Sequence, residues 1–387
     1  MTMTFIQLFD HSTIDRMEWP ATEEAEHARA LLLPMVLGGV QSYIHNVDTK
    51  LYLMRVNNAV IPITVNQREY DNSYLTSNYF PIKYLEERLN KQKSRLAFLQ
   101  KPLIKGMGLL LKGIKINKAV IVNNWLLTTN IYPHLTQHEL HAVTQYLTKC
   151  FPDHVLIFRS LNSRKCVDLT RDLEKQRYKL LYSRNVLIYD PSQKEHFSSK
   201  VLYHHRRDRR LIGTEGYEIV RSENMQTKEL ARMLQLYNSI YLSRHTAYSP
   251  QYTEKFLKEA LEKGFLHFVC LKKDGEIHGV IGFHERRGTL ITPFCGFDQS
   301  KGEANHLYRM LTILAIDEAE KREAILNDGS GGTAPKQYRG MRPFPEYVAL
   351  YDRHLPCHRR FFWWLAEKGI KWLAFDKTHQ AQPTSEH

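Results

Sequence analysis

Apolar and polar positions recur along the chain in short blocks whose period switches between two and about 3.6. In the first half, LYLMRV, AVIPITVN and SYLTSN read as short strands, with turns at Asn57-Asn58 and Asp71-Asn72. A helical period over Tyr84–Phe98 follows, then an apolar, lysine-rich stretch from Lys101 to Lys118, then the strand AVIVNNWLLTT. Thr136 and Glu139 have capping-box spacing, since the threonine can accept from the backbone while the glutamate reaches back, and they open a helix. HVLIFRSL, a helix over Val167–Leu180 and the strand NVLIYD complete this half.

Between Asp190 and Arg210 the pattern breaks into the polar, basic run PSQKEHFSSKVLYHHRRDRR, which predicts a domain junction and divides the chain into 1–200 and 201–387. Beyond it, helices are predicted over Thr227–Ser239 and Pro250–Lys263. LHFVCLKKDG and EIHGVIGFHER are joined through Asp274-Gly275, a strong hairpin signal, and TLITPFCGFD completes a meander. A long amphipathic helix (Asn305–Arg322), the strand AILND, a Gly-Ser-Gly-Gly turn, a short helix and the strand PEYVALYD follow. The chain closes on a Trp- and Phe-rich helix, Pro356–Lys368, and a last strand, KWLAFD.

Composition sharpens this picture in a few places. A length of 387 residues suggests two domains. Five cysteines without CxxC pairs read as reduced thiols and argue against zinc. With no signal-peptide pattern and no apolar run of membrane-spanning length, the expectation is a cytoplasmic protein that is not integral to a membrane. The formal charge of +13 calls for an anionic partner: a nucleic acid, a membrane surface or a phosphate-rich cofactor. HHRRDRR lacks interleaved aromatics and any base-reading motif, so it reads as a linker or anion patch. The stretch Lys101–Lys118 fits a helix lying on a membrane or lipid-like substrate, or a buried helix rimmed by lysines; the second is the expectation. His134, His138 and His141 are not HExxH and need not converge on a metal.

The second-half order of elements is similar to the GNAT fold. LNDGSGGTAPKQYRGMRPFPEYVALYDRHLPCHRRFFWWL resembles the closing segment of the CelD-like acyltransferases through Lys336, Arg339, Gly340, Tyr351, His354, Leu355 and Pro356, and HLYRML fits the start of that group's long helix. HHRRDRRLIGTEGYEIV resembles the entry to the second domain of Fem-type aminoacyltransferases. The resemblance spans Ala59–Asp376 and implies an α/β (α+β) protein of two tandem GNAT-like domains, each a mixed, mostly antiparallel sheet flanked by helices, the first one degenerate. It also implies an N-acyltransferase that uses acyl-CoA, acetyl-CoA or longer, on an amine of a small molecule or cell-envelope precursor, with no metal. The family's Arg/Gln-x-x-Gly-x-Gly/Ala loop for the cofactor pyrophosphate is absent; Gly296–Gly302 occupies its place with two glycines at another spacing.

Aminolysis of a thioester needs a neutral amine, a stabilised oxyanion and a proton for the leaving thiolate. The resemblance places Asn327, as a catalytic candidate, and the cofactor-binding turn Gly329, Ser330, Gly331 where the strand splays, since a Gly-rich turn gathers backbone donors. Tyr351 is the implied proton donor, with His354 and Glu346 as candidate bases. Lys336, Arg339 and Arg309 are the implied phosphate contacts, with Arg342, Arg359 and Arg360 flanking them. Two alternatives stand beside acyl-CoA transfer: an aminoacyl-tRNA-dependent transferase, the one reading with a nucleic-acid partner, and a non-catalytic binding protein.

Overall fold

The computed structural model describes residues 4–91, 95–301 and 304–380. The first half runs β1 (Ile6–Phe9), α1 (Glu23–Gly38), β2 (Lys50–Val56), β3 (Ala59–Asn66), α2 (Phe80–Lys91), α3 (Arg95–Gly113), β4 (Ala119–Val122), α4 (Gln137–Cys150), β5 (Val155–Asn162), α5 (Val167–Lys175) and β6 (Lys179–Tyr189). The second runs α6 (Ser199–Thr214), β7 (Glu218–Arg221), α7 (Leu230–Ile240), α8 (Glu254–Glu262), β8 (His267–Lys273), β9 (Glu276–Arg286), β10 (Thr289–Phe297), α9 (Ala304–Lys321), β11 (Ile325–Asn327), α10 (Thr333–Gln337), β12 (Arg342–Tyr351) and α11 (Cys357–Gln380).

All described strands join one twelve-stranded sheet in the order β1-β2-β3-β4-β5-β12-β6-β11-β10-β9-β8-β7. Each half contributes an antiparallel meander followed by one parallel step across a helix: Ala119 faces Val155 around α4, and Thr289 faces Ile325 around α9, at the same sequence interval. The last strand of each half then crosses over. β6 pairs with β11 of the second half, and β12 inserts between β5 and β6 of the first. The expected mixed, mostly antiparallel α/β organisation is present as one continuous sheet.

Side chains alternate between the sheet's two faces. On one face, α1, α7 and α8 cover Leu53, Phe268 and Phe294, while α2, α3 and α11 cover Ile121, Ile157 and Leu350. On the other, α4 and α5 cover Val122 and Phe158, and α6 and α9 cover Leu271, Leu290 and Leu326. Local chemistry sets several boundaries. Thr136 and Glu139 form the reciprocal capping box of α4. Asp274 and Gly275 both have positive φ, as the tight β8–β9 hairpin demands.

Four expectations are corrected. SYLTSN is not a strand, because Ser73 N and Tyr74 N donate to the distant carbonyls of Asn46 and Tyr248 instead of to a ladder. β4 stops at Val122, where Asn123 and then Leu126 turn to positive φ. KWLAFD continues α11 as helix. HHRRDRR is not a linker but the body of α6, capped by Ser198, whose side chain accepts from Val201 N. The reason is Asp208. Its carboxylate is fully buried and receives Arg309 from α9 at 2.6 and 3.0 Å and Arg339 from the segment after α10 at 2.7 Å. In addition, the lysine-rich Lys101–Lys118 stretch is helical but not a buried helix: among its residues in α3 only Ile104 and Gly108 are buried, with Leu111 half-buried.

Removing one member of a buried ion cluster strands the others without water, at a cost of about 3–5 kcal/mol. Asp208→Ala is therefore expected to lower the unfolding free energy by about that amount in urea denaturation, whereas exposed Arg210→Ala changes it by less than about 0.5 kcal/mol.

Candidate active site

The ladder between β10 and β11 is only three pairs long, ending at Ile291 opposite Asn327. Beyond that point β10 bulges between Ile291 and Phe294, where Pro293 has no N–H to offer a ladder. On the other side the chain leaves β11 toward β6: Asp328 N donates to Leu187 O at 3.0 Å, and Leu187 N donates to Gly329 O at 2.8 Å. The two strands therefore part, and a gap opens in the middle of the second half.

Several polar groups meet at this gap. Asp328 accepts from the Thr292 hydroxyl across it and from the buried Lys336 ammonium at 2.8 Å. Tyr308, from the first turns of α9, brings a buried hydroxyl that lies near the Thr312 side chain and makes no well-aligned hydrogen bond among the described residues. Burial, then the charge of Asp328, pushes that hydroxyl well above the ordinary tyrosine range, so it holds its proton at neutral pH. Cys295 lies within the same electrostatic neighbourhood, its thiol pushed up to about 12 by burial and by Asp328, so it is inert as a nucleophile. Gly329 and Gly332 turn through φ +65° and +64°, and a Cβ on Gly332 would fall 1.9 Å from the Tyr308 oxygen.

A second polar group lies along the seam between the halves. Leu326 packs beneath α9, so its neighbour Asn327 points to the opposite face. Asn327 is buried; its Oδ1 accepts from Gly329 N at 3.2 Å and its Nδ2 is unpartnered. It lines a cavity of about 280 Å³ with Asn130, Tyr132, Asn162, Cys166 and Thr289. Glu346 on β12 faces Asn162 across the ladder. Its Oε1 accepts from Arg184 Nε at 2.8 Å while its buried Oε2 is without a partner. A buried polar atom left unpaired costs about 1–3 kcal/mol, so these two spare groups are a standing expense that a ligand would relieve.

The predicted site residues are thus divided. Asn327, Gly329, Ser330, Gly331 and Lys336 gather at the gap, whereas Glu346 lies two strands away on β12, opposite Arg184 of β6, while Asn327 is opposite Ile188. Tyr351 and His354 are elsewhere. Tyr351 is five residues along β12 from Glu346, about 17 Å at the rise of a strand. It faces Leu156 and packs on Tyr178 with ring centres 5.0 Å apart. There it lines an open groove with His138, His141 and Arg177. His354 stacks on Tyr351 and its Nε2 lies 2.7 Å from the His154 carbonyl; burial lowers its pKa against that bond. Arg309 and Arg339 are both committed to Asp208, and Arg359 donates to the carbonyls of Asp153 and Lys115.

The segment between β10 and α9 also departs from a phosphate cradle. Burial raises the Asp298 carboxyl, but hydrogen bonds from Ser300 and Arg232 outweigh it and hold the pKa at about 2. Asp298 is therefore an anion held by Arg232 of α7 at 2.7 Å; Gly302 lies outside the described residues. Among the described residues no group of three His, Cys, Asp or Glu side chains is arranged to hold a metal, and no helix is long and apolar enough to cross a membrane. Sequence reasoning missed Tyr308 and Arg184. Tyr308 stood one residue from Arg309 in HLYRML, and nothing in that motif shows which of its side chains turns toward the gap.

Residues 199–333 match the acetyltransferase (GNAT) domain family. No curated protein matches the chain. Among solved structures, the C-terminal domain of a putative lysylphosphatidylglycerol synthetase from Agrobacterium fabrum aligns at 11% identity over 55% of this chain and 72% of that one, with a TM-score of 0.43. FemX aligns at 9% identity over 60% and 80%, with a TM-score of 0.43. A tandem GNAT protein from the clavulanic acid biosynthesis pathway aligns at 7% identity over 90% and 98%, with a TM-score of 0.39.

The contact between Gly332 and Tyr308 is testable by a double-mutant cycle. Gly332→Ala is expected to destabilise by about 1–3 kcal/mol through positive φ and the clash with the hydroxyl. Tyr308→Phe, which removes that oxygen, should recover part of the loss in the double variant; additive losses in urea denaturation would show that the two do not meet.

Proposed function

With a GNAT-type acetyltransferase domain carried by residues 199–333, we propose that the chain moves an acyl group from an acyl-CoA thioester, acetyl-CoA or longer, to an amine, and that transfer takes place where β10 and β11 part. The observation that carries this reading is the parting itself, with the Gly329–Gly332 turn, the protonated Tyr308 hydroxyl and the spare Asn327 amide gathered on it. Backbone N–H groups freed beyond the bulge are the donors for the oxyanion, at a place where low polarity strengthens them.

In this reading the amine nitrogen attacks the thioester carbonyl, the C–S bond breaks, and the Tyr308 proton goes to the thiolate. The proton lost by the amine passes along the polar cavity that Asn327 shares with Asn162, and the free Oε2 of Glu346, opposite Asn162, is its terminal acceptor, with Arg184 holding the carboxylate in place. Lys336 balances Asp328 and so keeps the turn folded without a net anion beside the thioester. Arg309 and Arg339 act on the turn through Asp208 and do not meet the donor's phosphates. The acceptor is a small-molecule or cell-envelope amine, and the compartment is the cytoplasm.

A second reading keeps the gap and changes the donor to aminoacyl-tRNA. The segment Gly296–Gly302 favours it, because it lacks the glycine spacing of a pyrophosphate loop.

Thermal denaturation with and without ligand separates the two. Acetyl-CoA or a longer acyl-CoA at about 100 times its Kd should stabilise by about 2.7 kcal/mol and raise Tm by several degrees. No rise with any CoA species, together with protection by aminoacyl-tRNA, would replace the first reading by the second. Tyr308→Phe is expected to lower kcat by about a hundredfold with KM little changed, while Tyr351→Phe stays within about twofold of the parent. Unchanged kcat in Tyr308→Phe would remove the proton-donor role.

A further inference from the structure

We infer that α3, with the adjoining start of α11, is a docking face for the surface of an anionic lipid bilayer. Between Arg88 and His138 the sequence contains seven lysines and two arginines and no aspartate or glutamate, so this one stretch supplies much of the chain's excess positive charge. α3 sits in the middle of it and touches the protein along a narrow strip. Ile104 is buried, and Gly108 is pressed so close that a Cβ would fall 2.4 Å from the Tyr79 hydroxyl. Lys112 folds back over the rings of Tyr70 and Tyr79.

Over residues 101–113 the positions outside that strip are exposed, apart from half-buried Leu111, and several of them are apolar. Leu103 is 74% exposed and Leu109 71%, with Met107 and Leu110 beside them. Leu103, Met107 and Leu110 share one stripe by their i, i+4, i+7 spacing. Lys101 and Lys105 are exposed on a neighbouring stripe, and no carboxylate among the described residues pairs with either. On the same face of the sheet, the start of α11 is tied to the end of α3 by Arg359, which donates to the Lys115 and Lys118 carbonyls. There Phe361, Trp364 and Leu365 point outward while Trp363 is buried.

A single exposed leucine is ordinary, but an apolar stripe flanked by unpaired lysines is costly on a free surface and suited to an interface. The occupant must accept leucine, phenylalanine and tryptophan side chains and, at its rim, several positive charges. A bilayer bearing anionic headgroups meets both demands: apolar residues enter the acyl boundary while long lysine stems reach back to the phosphates. The inference stands apart from the transfer reading, because it concerns surface attachment and not the gap between β10 and β11.

The experiment is vesicle co-sedimentation of the full chain with equal parts phosphatidylglycerol and phosphatidylcholine, and with phosphatidylcholine alone. Tighter binding to the anionic vesicles, weakened by added salt, is expected. Leu103→Glu with Leu110→Glu, and separately Lys101→Glu with Lys105→Glu, should each weaken binding at least about tenfold while leaving Tm and far-UV circular dichroism unchanged, since all four side chains are exposed. The proposal is overturned if the parent ignores anionic vesicles, if both variants bind like the parent, or if light scattering shows a dimer that the leucine variant dissociates while vesicle binding is absent. Loss of acyl transfer alone, with vesicle binding intact, would count against the transfer reading and leave this one standing.

Discussion

The antiparallel pairing of β12 with β6 is the constraint on which the rest of the structure depends. Each strand ends one half of the chain and completes the sheet of the other. Neither half can bury the edge of its parallel step, β5 or β11, without a strand supplied from elsewhere in sequence, and an unpaired edge would leave backbone groups unsatisfied in the interior. The exchange therefore makes the two halves one cooperative sheet. It also brings Glu346 against Arg184 on one side of β6 and Asn327 against Ile188 on the other.

The seam between the halves is polar in the middle of a well-packed apolar molecule, and its groups are only partly satisfied. Around the Asp208 cluster both carboxylate oxygens are hydrogen-bonded, Oδ1 by Arg309 and Oδ2 by Arg339, so the buried anion has no spare acceptor. At Asn327 and Glu346 one atom of each side chain is left over, and at Tyr308 the hydroxyl makes no well-aligned hydrogen bond. The contrast between a fully paired cluster and a partly paired one, separated by one turn and a short helix, distinguishes the groups that hold the turn from those available to a ligand. The cations with the strongest motif pedigree, Arg309 and Arg339, belong to the first kind.

Much of the fold was legible because its periods are clean. The β8–β9 hairpin announces itself through Asp274-Gly275, and α4 through Thr136 and Glu139, since both depend on residues a few positions apart. The errors share a cause. SYLTSN has strand composition, yet its backbone donors go to Asn46 and Tyr248. HHRRDRR looks like a solvated linker until one sees that its aspartate is the buried counter-ion of two distant arginines. Local composition carries no record of such partners.

For the candidate site, the sequence by itself singled out one segment, the turn after Asn327 and the strand that follows it, because a Gly-rich run can take the positive-φ conformations of a sharp turn after a strand. Which side chains of that segment come together was decided by the tertiary structure. A strand alternates its faces and extends about 3.3 Å per residue, so Glu346 and Tyr351, close in sequence, stand at opposite ends of β12. Tyr308, distant in sequence, reaches the gap because α9 crosses beneath it. The same holds for α3: its lysines and leucines were plain to read, but only packing against Tyr79 decided that the leucines face outward.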